Sequence, residues 1–178
     1  MSTMLIQQTQ TQAAVETWTV DPSRTTAEFE VEHLWGLHTV HGRFSRLEGS
    51  YVEGPAGPEI ELSIDAESVD TGNAKRDEHL RSWDFFDVVP NPLVRFASTR
   101  VMGLGDGQVR VNGHLEAAGT PVPLEFDASV RMIGGELEVE ATTTVDQRRF
   151  GMSGGPLGNV RAPATLHVRA RLVRETSE

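Results

Sequence analysis

The feature that most constrains this chain is a hydrophobic period of two. In Thr25–His33, Ala27, Phe29, Val31 and His33 share one face, and Glu28, Glu30 and Glu32 share the other. Val40, Gly42 and Phe44 alternate with Thr39, His41 and Arg43, and Ile60, Leu62 and Ile64 alternate with Glu59, Glu61, Ser63 and Asp65. The second half repeats the pattern more cleanly, through Val109–Leu115, Leu124–Met132, Leu137–Val145 and Leu166–Leu172. Successive side chains of a strand point to opposite sides, so each run predicts a strand dry on one face and wet on the other. With Leu93–Met102 added after Pro92, the count is about eight strands.

Turn chemistry separates the runs: Gly54-Pro55-Ala56-Gly57-Pro58, Gly103-Leu104-Gly105-Asp106-Gly107, Gly119-Thr120-Pro121 and Gly134-Gly135. Such short connections imply antiparallel hairpins. An open sheet of this kind would expose its apolar face, so the strands must close into a barrel or stack as a sandwich. Ser68–Pro92 interrupts the pattern. Asn73 is placed to cap a short helix through Leu80, followed by Trp83, Phe85 and Phe86. This insertion reads as a lid over one barrel end or as a helix covering a hydrophobic flank.

Composition narrows the function classes. The 178 residues suffice for one domain with a sizeable core. Residues 1–16, rich in Gln and Thr, read as a flexible N-terminal tail, and 17–175 as the folded domain. No apolar stretch is long enough to span a bilayer, so stable membrane insertion is not expected. The formal charge of −10, with no basic run, excludes a nucleic-acid binder, which needs cations against phosphates. A sequence without cysteine and without a basic, apolar start is expected in the cytoplasm.

An eight-stranded barrel is near the size at which side chains either fill the interior or leave room for one ligand. The inward face here carries Ala27, Gly42, Gly113, Ala128, Ala141, Thr143 and Ala170, too little volume for a close-packed core. An elongated apolar tunnel is therefore expected, the competing arrangement being a flattened sandwich whose small residues let two sheets approach.

Several motifs resemble the YceI-like family of polyisoprenoid-binding, lipocalin-like proteins. They run from Trp18-Thr-Val-Asp21-Pro22-Ser23 and Phe29-Glu-Val31-Glu-His33-Leu34 through Val40-His-Gly42-Arg-Phe44 and Ser68-Val69-Asp-Thr71. The most specific stretch is Asp77-Glu-His79-Leu80-Arg-Ser82-Trp-Asp84-Phe85-Phe86-Asp87, leading to Pro92-Leu-Val-Arg-Phe96-Ala-Ser98. Val111-Asn-Gly113-His-Leu115 and Phe150-Gly151-Met152 extend the likeness over about Trp18 to Val173. The resemblance implies an extended antiparallel barrel whose apolar tunnel holds an isoprenoid, such as a quinone tail or prenyl lipid, or a similar long chain. Two departures, Ala117-Ala118-Gly119 and Gln147-Arg148-Arg149-Phe150-Gly151, keep the family's head-group recognition from being carried over.

Other chemistries are weaker. His33, His38 and His41 fall within nine residues, but their parity separates them, so no metal site is expected. Asp77, Glu78, His79 and Ser82 lack a nucleophile elbow and read as helix capping and ion pairing. A buried diphosphate would need a cationic mouth, for which Lys75, Arg76 and Arg81 or Arg148, Arg149 and Arg161 are the candidates. Solvated surface charge is the preferred reading of both clusters.

The expectation is thus an all-β, eight-stranded antiparallel lipocalin-like barrel with a short helical insertion between strands 3 and 4. It acts as a non-catalytic binder of an isoprenoid or other long-chain lipid and needs no cofactor. Phe29, Val31, His33, Val40, Phe44, Leu62, Phe96, Val111, Leu115, Phe126, Val139 and Leu166 are expected to line the tunnel, and Trp83, Phe85 and Phe86 to form the lid. The alternatives are a lipid-directed hydrolase or metal-assisted enzyme using cavity histidines, and a solid-cored stress or interaction module. Edge strands leave a homodimer open.

Overall fold

A computed structural model of the chain describes residues 15–33, 38–152 and 163–175, without the side chain of His33. Eleven strands form one antiparallel sheet. In chain order these are β1 (Glu16–Val20), β2 (Thr26–His33), β3 (His38–Phe44), β4 (Leu47–Gly54), β5 (Gly57–Asp65) and β6 (Val69–Asp70). Helix α1 (Ala74–Arg81) follows, then β7 (Leu93–Gly105), β8 (Gln108–Ala117), β9 (Thr120–Ile133), β10 (Glu136–Val145) and β11 (Ala164–Arg174).

The sheet closes because β11 pairs with both first strands. Val20 lies opposite Leu172 on β1, and Phe29 lies opposite Leu166 on β2. β1 and β2 are therefore two lengths of one stave, broken by a 3₁₀ turn at Pro22–Arg24. β3 continues into β4 across Ser45 and Arg46, and β5 into β6 across a second 3₁₀ turn at Ala66–Ser68. Counting each broken pair once, the closed ring has the eight staves anticipated from the alternation, and α1 falls between the third and the fourth. Closure by β11 excludes the sandwich. β1 opens at Glu16, the last residue of the expected tail, and with β4 and β6 it was not visible in the alternation.

Each break is held by polar side chains. The Asp21 carboxylate accepts from the Ser23 backbone N–H at 2.9 Å and Asp65 accepts from that of Glu67 at 2.9 Å, so both 3₁₀ turns begin on an aspartate cap. Buried Thr25 accepts the Arg171 N–H at 3.2 Å, returning the first stave to β11. The buried Ser68 hydroxyl accepts from Ser45 and Arg46 N–H, both at 3.2 Å, and donates to the Asp65 carbonyl at 2.6 Å. One hydroxyl thus joins two adjacent breaks.

The far edge of the short strand β6 is met by α1. Arg81 donates to the carbonyls of Glu67 and Val69, each at 2.9 Å, while Arg76 donates to the Thr71 carbonyl at 2.9 Å and its hydroxyl at 2.8 Å. Buried Asp77 accepts from the Thr71 N–H at 2.9 Å. These contacts occupy backbone groups through which an edge strand would otherwise add a partner. They also explain the charges of the insertion, with Asn73 capping α1 through the Arg76 N–H as its sequence position predicts.

Candidate ligand-binding site

The inward residues of the staves enclose a cavity of about 730 Å³, far larger than the water-sized voids of a packed interior. Its presence is incompatible with a solid-cored barrel. Phe29, Val31, Val40, Phe44, Leu62, Phe96, Val111, Leu115, Phe126, Val139 and Leu166 all lie along its wall. His33 was expected beside them, but its side chain lies outside the described residues, as do the Leu34–Leu37 turn and Arg161. Val111 is fully enclosed, at 0% exposure, because β8 is paired on both sides through it, to Val101 and Phe126.

The small inward residues divide into two kinds. Ala128 and Ala141 face each other across β9 and β10 and border the cavity, so their lack of bulk becomes open space. Gly42 and Gly113 act differently. A Cβ on Gly42 would fall 2.1 Å from the Phe29 ring, and one on Gly113 would fall 2.6 Å from the Phe96 ring. Each phenylalanine lies across its glycine and fills that space with aromatic carbon. The rings then continue into a lining of aromatic pairs: Phe29 to Phe44 at 5.7 Å, Phe44 to Phe86 at 5.6 Å and Phe96 to Phe126 at 5.4 Å between centroids.

One end is capped by α1 and the turn after it. Leu80, Phe85 and Phe86 reach the cavity there, and Phe85 packs edge-on against the His79 ring at 5.1 Å. Trp83 does not: it is 78% exposed and belongs to no part of the lining. The tight turn closed by hydrogen bonds from Phe85 and Asp87 N–H to the Ser82 carbonyl aims Phe85 and Phe86 inward and leaves Trp83 outside. Of the three residues expected there, Phe85 and Phe86 reach the cavity and Trp83 does not, so apolar composition alone misplaced the tryptophan.

Other lining residues escaped the sequence reading. The β9–β10 ladder stops at Ala141 opposite Ala128. Beyond it, a third aspartate-capped 3₁₀ turn, Gln147–Phe150, packs on β9. It brings Gln147, Phe150 and, just past it, Met152 to the cavity. Their signal was the Phe150-Gly151-Met152 motif; Gly151 has φ 78°, a left-handed conformation natural to glycine. Trp18, Val20, Tyr51 and Ile60 also line the wall from staves whose alternation is short or interrupted.

Polar chemistry along the wall is sparse. At the hairpin end, the Tyr51 hydroxyl donates to Glu53 at 3.2 Å, and burial followed by the neighbouring charge of Glu53 pushes the phenol up to about 12. At the helix end, the Ser82 hydroxyl donates to the His79 carbonyl at 2.6 Å, while His79 Nε2 faces Asp84 at 3.3 Å. Serine and imidazole are thus turned to different partners. Arg148 is held by Asp146 at 2.6 Å, a contact that lowers that carboxyl to about 2. His38 and His41 are exposed, His41 lying 3.2 Å from Glu30. Among the described residues, no three potential metal ligands gather.

A closed antiparallel barrel surrounding an apolar cavity defines a lipocalin-like binding barrel. Residues 18–172 match the YceI-like domain, and the chain belongs to that family. It is 33% identical over 134 residues to a UPF0312 protein of Pseudomonas paraeruginosa, an overlap covering 70% of this chain and 69% of that relative. With a UPF0312 protein of Vibrio cholerae it shares 35% identity over 103 residues, 56% of this chain and 54% of that one. Among solved structures, Burkholderia cenocepacia BcnA superposes with a TM-score of 0.77 at 17% identity, covering 85% of this chain and 98% of its own. A polyisoprenoid binding domain from Saccharophagus degradans, implicated in plant cell wall breakdown, gives a TM-score of 0.68 at 20% identity, covering 90% and 98%. Among the described residues, no helix is long and apolar enough to cross a membrane.

Proposed function

We propose that this protein binds one long apolar molecule, an isoprenoid such as a quinone or prenyl lipid, inside the barrel, and sequesters or carries it without chemical change. The observation that carries the reading is the cavity of about 730 Å³, walled by aliphatic and aromatic side chains from the helix-capped end to the hairpin end. A volume in the range of small-molecule pockets, with few polar groups, favours a ligand whose binding energy comes from its hydrocarbon. Burial gives about 0.8 kcal/mol per CH₂, so a chain of roughly twenty carbons gains about 16 kcal/mol before ordering costs. Even after those costs, micromolar or tighter affinity is expected. Family membership and the Saccharophagus likeness support an isoprenoid as the ligand class, and the separate engagements of Ser82 and His79 support binding over hydrolysis. The cysteine-free composition supports a cytoplasmic setting for this role, which fractionation of cells tests.

The decisive experiment is native mass spectrometry of the purified protein, followed by organic extraction and lipid analysis. A stoichiometric isoprenoid or acyl adduct is expected. Protein that is purified empty and takes up neither quinones nor prenyl lipids would overturn the carrier reading.

A further inference from the structure

The alternation that lines the cavity continues to the hairpin end, where its character changes. On β1, Trp18 and Val20 line the wall, and two residues before Trp18 the same parity falls on Glu16. On β4 it passes from Tyr51 to Glu53, and on β11 from Leu172 to Arg174. Strand register brings these together: Glu16 lies opposite Glu53, and Trp18 lies between Tyr51 and Arg174. One arc of the rim therefore carries two carboxylates, a phenol and a guanidinium at positions that are apolar deeper in the barrel. The facing arc meets the cavity through Gly103, Val109 and Met132, none of them charged.

Among the described residues, the cation of the charged arc is Arg174, and it is engaged. Arg174 is ion-paired with Glu16, and its guanidinium carbon sits 5.3 Å over the Trp18 ring. Glu53 accepts from the Tyr51 hydroxyl and, among the described residues, forms no ion pair. At the helix end, Arg76 touches the cavity but donates twice to Thr71, and Arg81 is turned to the carbonyls of Glu67 and Val69.

Resting on the carrier reading above, we propose that the hairpin rim sorts chains by their terminus. It admits isoprenoids ending in an uncharged, hydrogen-bonding group and disfavours those ending in a diphosphate or carboxylate. A terminal hydroxyl donates to Glu53 or to the Tyr51 oxygen, whereas an anionic terminus meets two carboxylates offset by one guanidinium already in use.

The test uses the full chain and two probes with the same hydrocarbon, geranylgeraniol and geranylgeranyl diphosphate, titrated by calorimetry and native mass spectrometry. At low ionic strength the alcohol is expected to bind about tenfold more tightly. The gap narrows as salt rises and the Debye length shrinks from about 30 Å at 0.01 M to about 8 Å at 0.15 M. Glu53→Gln keeps an acceptor for the alcohol and is expected to narrow the gap severalfold by improving the diphosphate alone. The salt series needs no variant, so the outcome does not depend on how Glu53→Gln folds. Equal binding of the two probes overturns this inference and leaves the carrier reading standing. So does a gap that neither salt nor Glu53→Gln changes, or tight diphosphate binding lost in Arg76→Gln. If neither probe binds, this inference falls, and the carrier reading falls with it when quinones are refused as well.

Discussion

Two stretches of barrel wall do the same job by different means. From β7 to β11, five strands of ten to fourteen residues run without a break in the chain, their register shifting only where β7 bulges against β8 at Ser98/Arg100 and Gly103/Gly105, and their outer face is laced by cross-strand ion pairs such as Arg110–Asp127 at 2.7 Å and Arg169–Glu140 at 3.0 Å. From β1 to β6, three staves are each broken in mid-course, and buried or half-buried polar groups hold the pieces together. The continuous wall needs only alternation and backbone pairing. The broken wall needs specific side chains, and it is the one that carries α1 and the two phenylalanines after it. Regular pairing makes a wall, while interruption allows the chain to fold over its end.

The largest effect should come from the continuous wall, on binding rather than stability. Ala141→Phe puts a ring into the space left by the facing Ala128, so uptake of a prenyl probe should fall by about a hundredfold with the barrel intact by circular dichroism. An unchanged affinity would mean that the ligand does not pass this level.

On the broken wall the effect falls on stability. Ser68→Ala strips two backbone donors of their acceptor in a buried place and should cost about 2–3 kcal/mol. That corresponds to roughly 5–10 °C in a melt for a domain of this size. Hydrogen exchange should quicken in β3 and β6 and spare β9 and β10. Uniform loss of protection would show the two walls to be one cooperative unit.

The glycines sharpen the contrast. A Cβ at Gly113 meets the Ala97 carbonyl at 2.4 Å as well as the Phe96 ring, whereas at Gly42 the three nearest atoms all belong to the far end of the Phe29 ring. Gly113→Ala should therefore cost about 2 kcal/mol and Gly42→Ala less, because the Phe29 ring has cavity space to swing into. The reverse order in a denaturant titration would show that backbone contact is not the deciding factor.

Acid should produce the smallest change. Hydrogen bonds from the Ser23 hydroxyl and the Arg24 side chain hold Asp21 at about 2, below its usual 3.8. A depressed folded-state value contributes stability above the unfolded one and loses it as protons bind, so the contribution fades between about pH 4 and pH 2. Asp21→Asn should flatten the melting temperature over that window. A slope identical to that of the parent would show the cap to be indifferent to charge.

The same division decides what was legible in the sequence. β8 to β11 show unbroken alternation over seven or more residues, and there the inward face follows from parity; β7 has no single parity, because the bulge after Ser98 moves the inward set from Val94 and Phe96 to Val101 and Gly103. β1 and β4 were missed because Glu16 and Glu53 occupy inward positions at the rim, so the pattern never accumulates enough apolar repeats. Trp83 went wrong for a different reason: one tight turn, not hydrophobicity, decides which of three neighbouring aromatics faces in. The alignment of the breaks depends on Ser68, a residue whose type says nothing about its three partners.

Since Phe29 lies over Gly42 and Phe96 over Gly113, the calibre of the cavity belongs to pairs and not to single residues. Natural variation at these positions should consequently be joint. A relative with alanine in place of either glycine should carry a smaller or re-aimed side chain at the paired phenylalanine position, and a change to one member alone should be rare. Coupled substitution of ring and glycine is thereby a means for descendants of such a barrel to acquire wider or narrower bores while the backbone stays as it is.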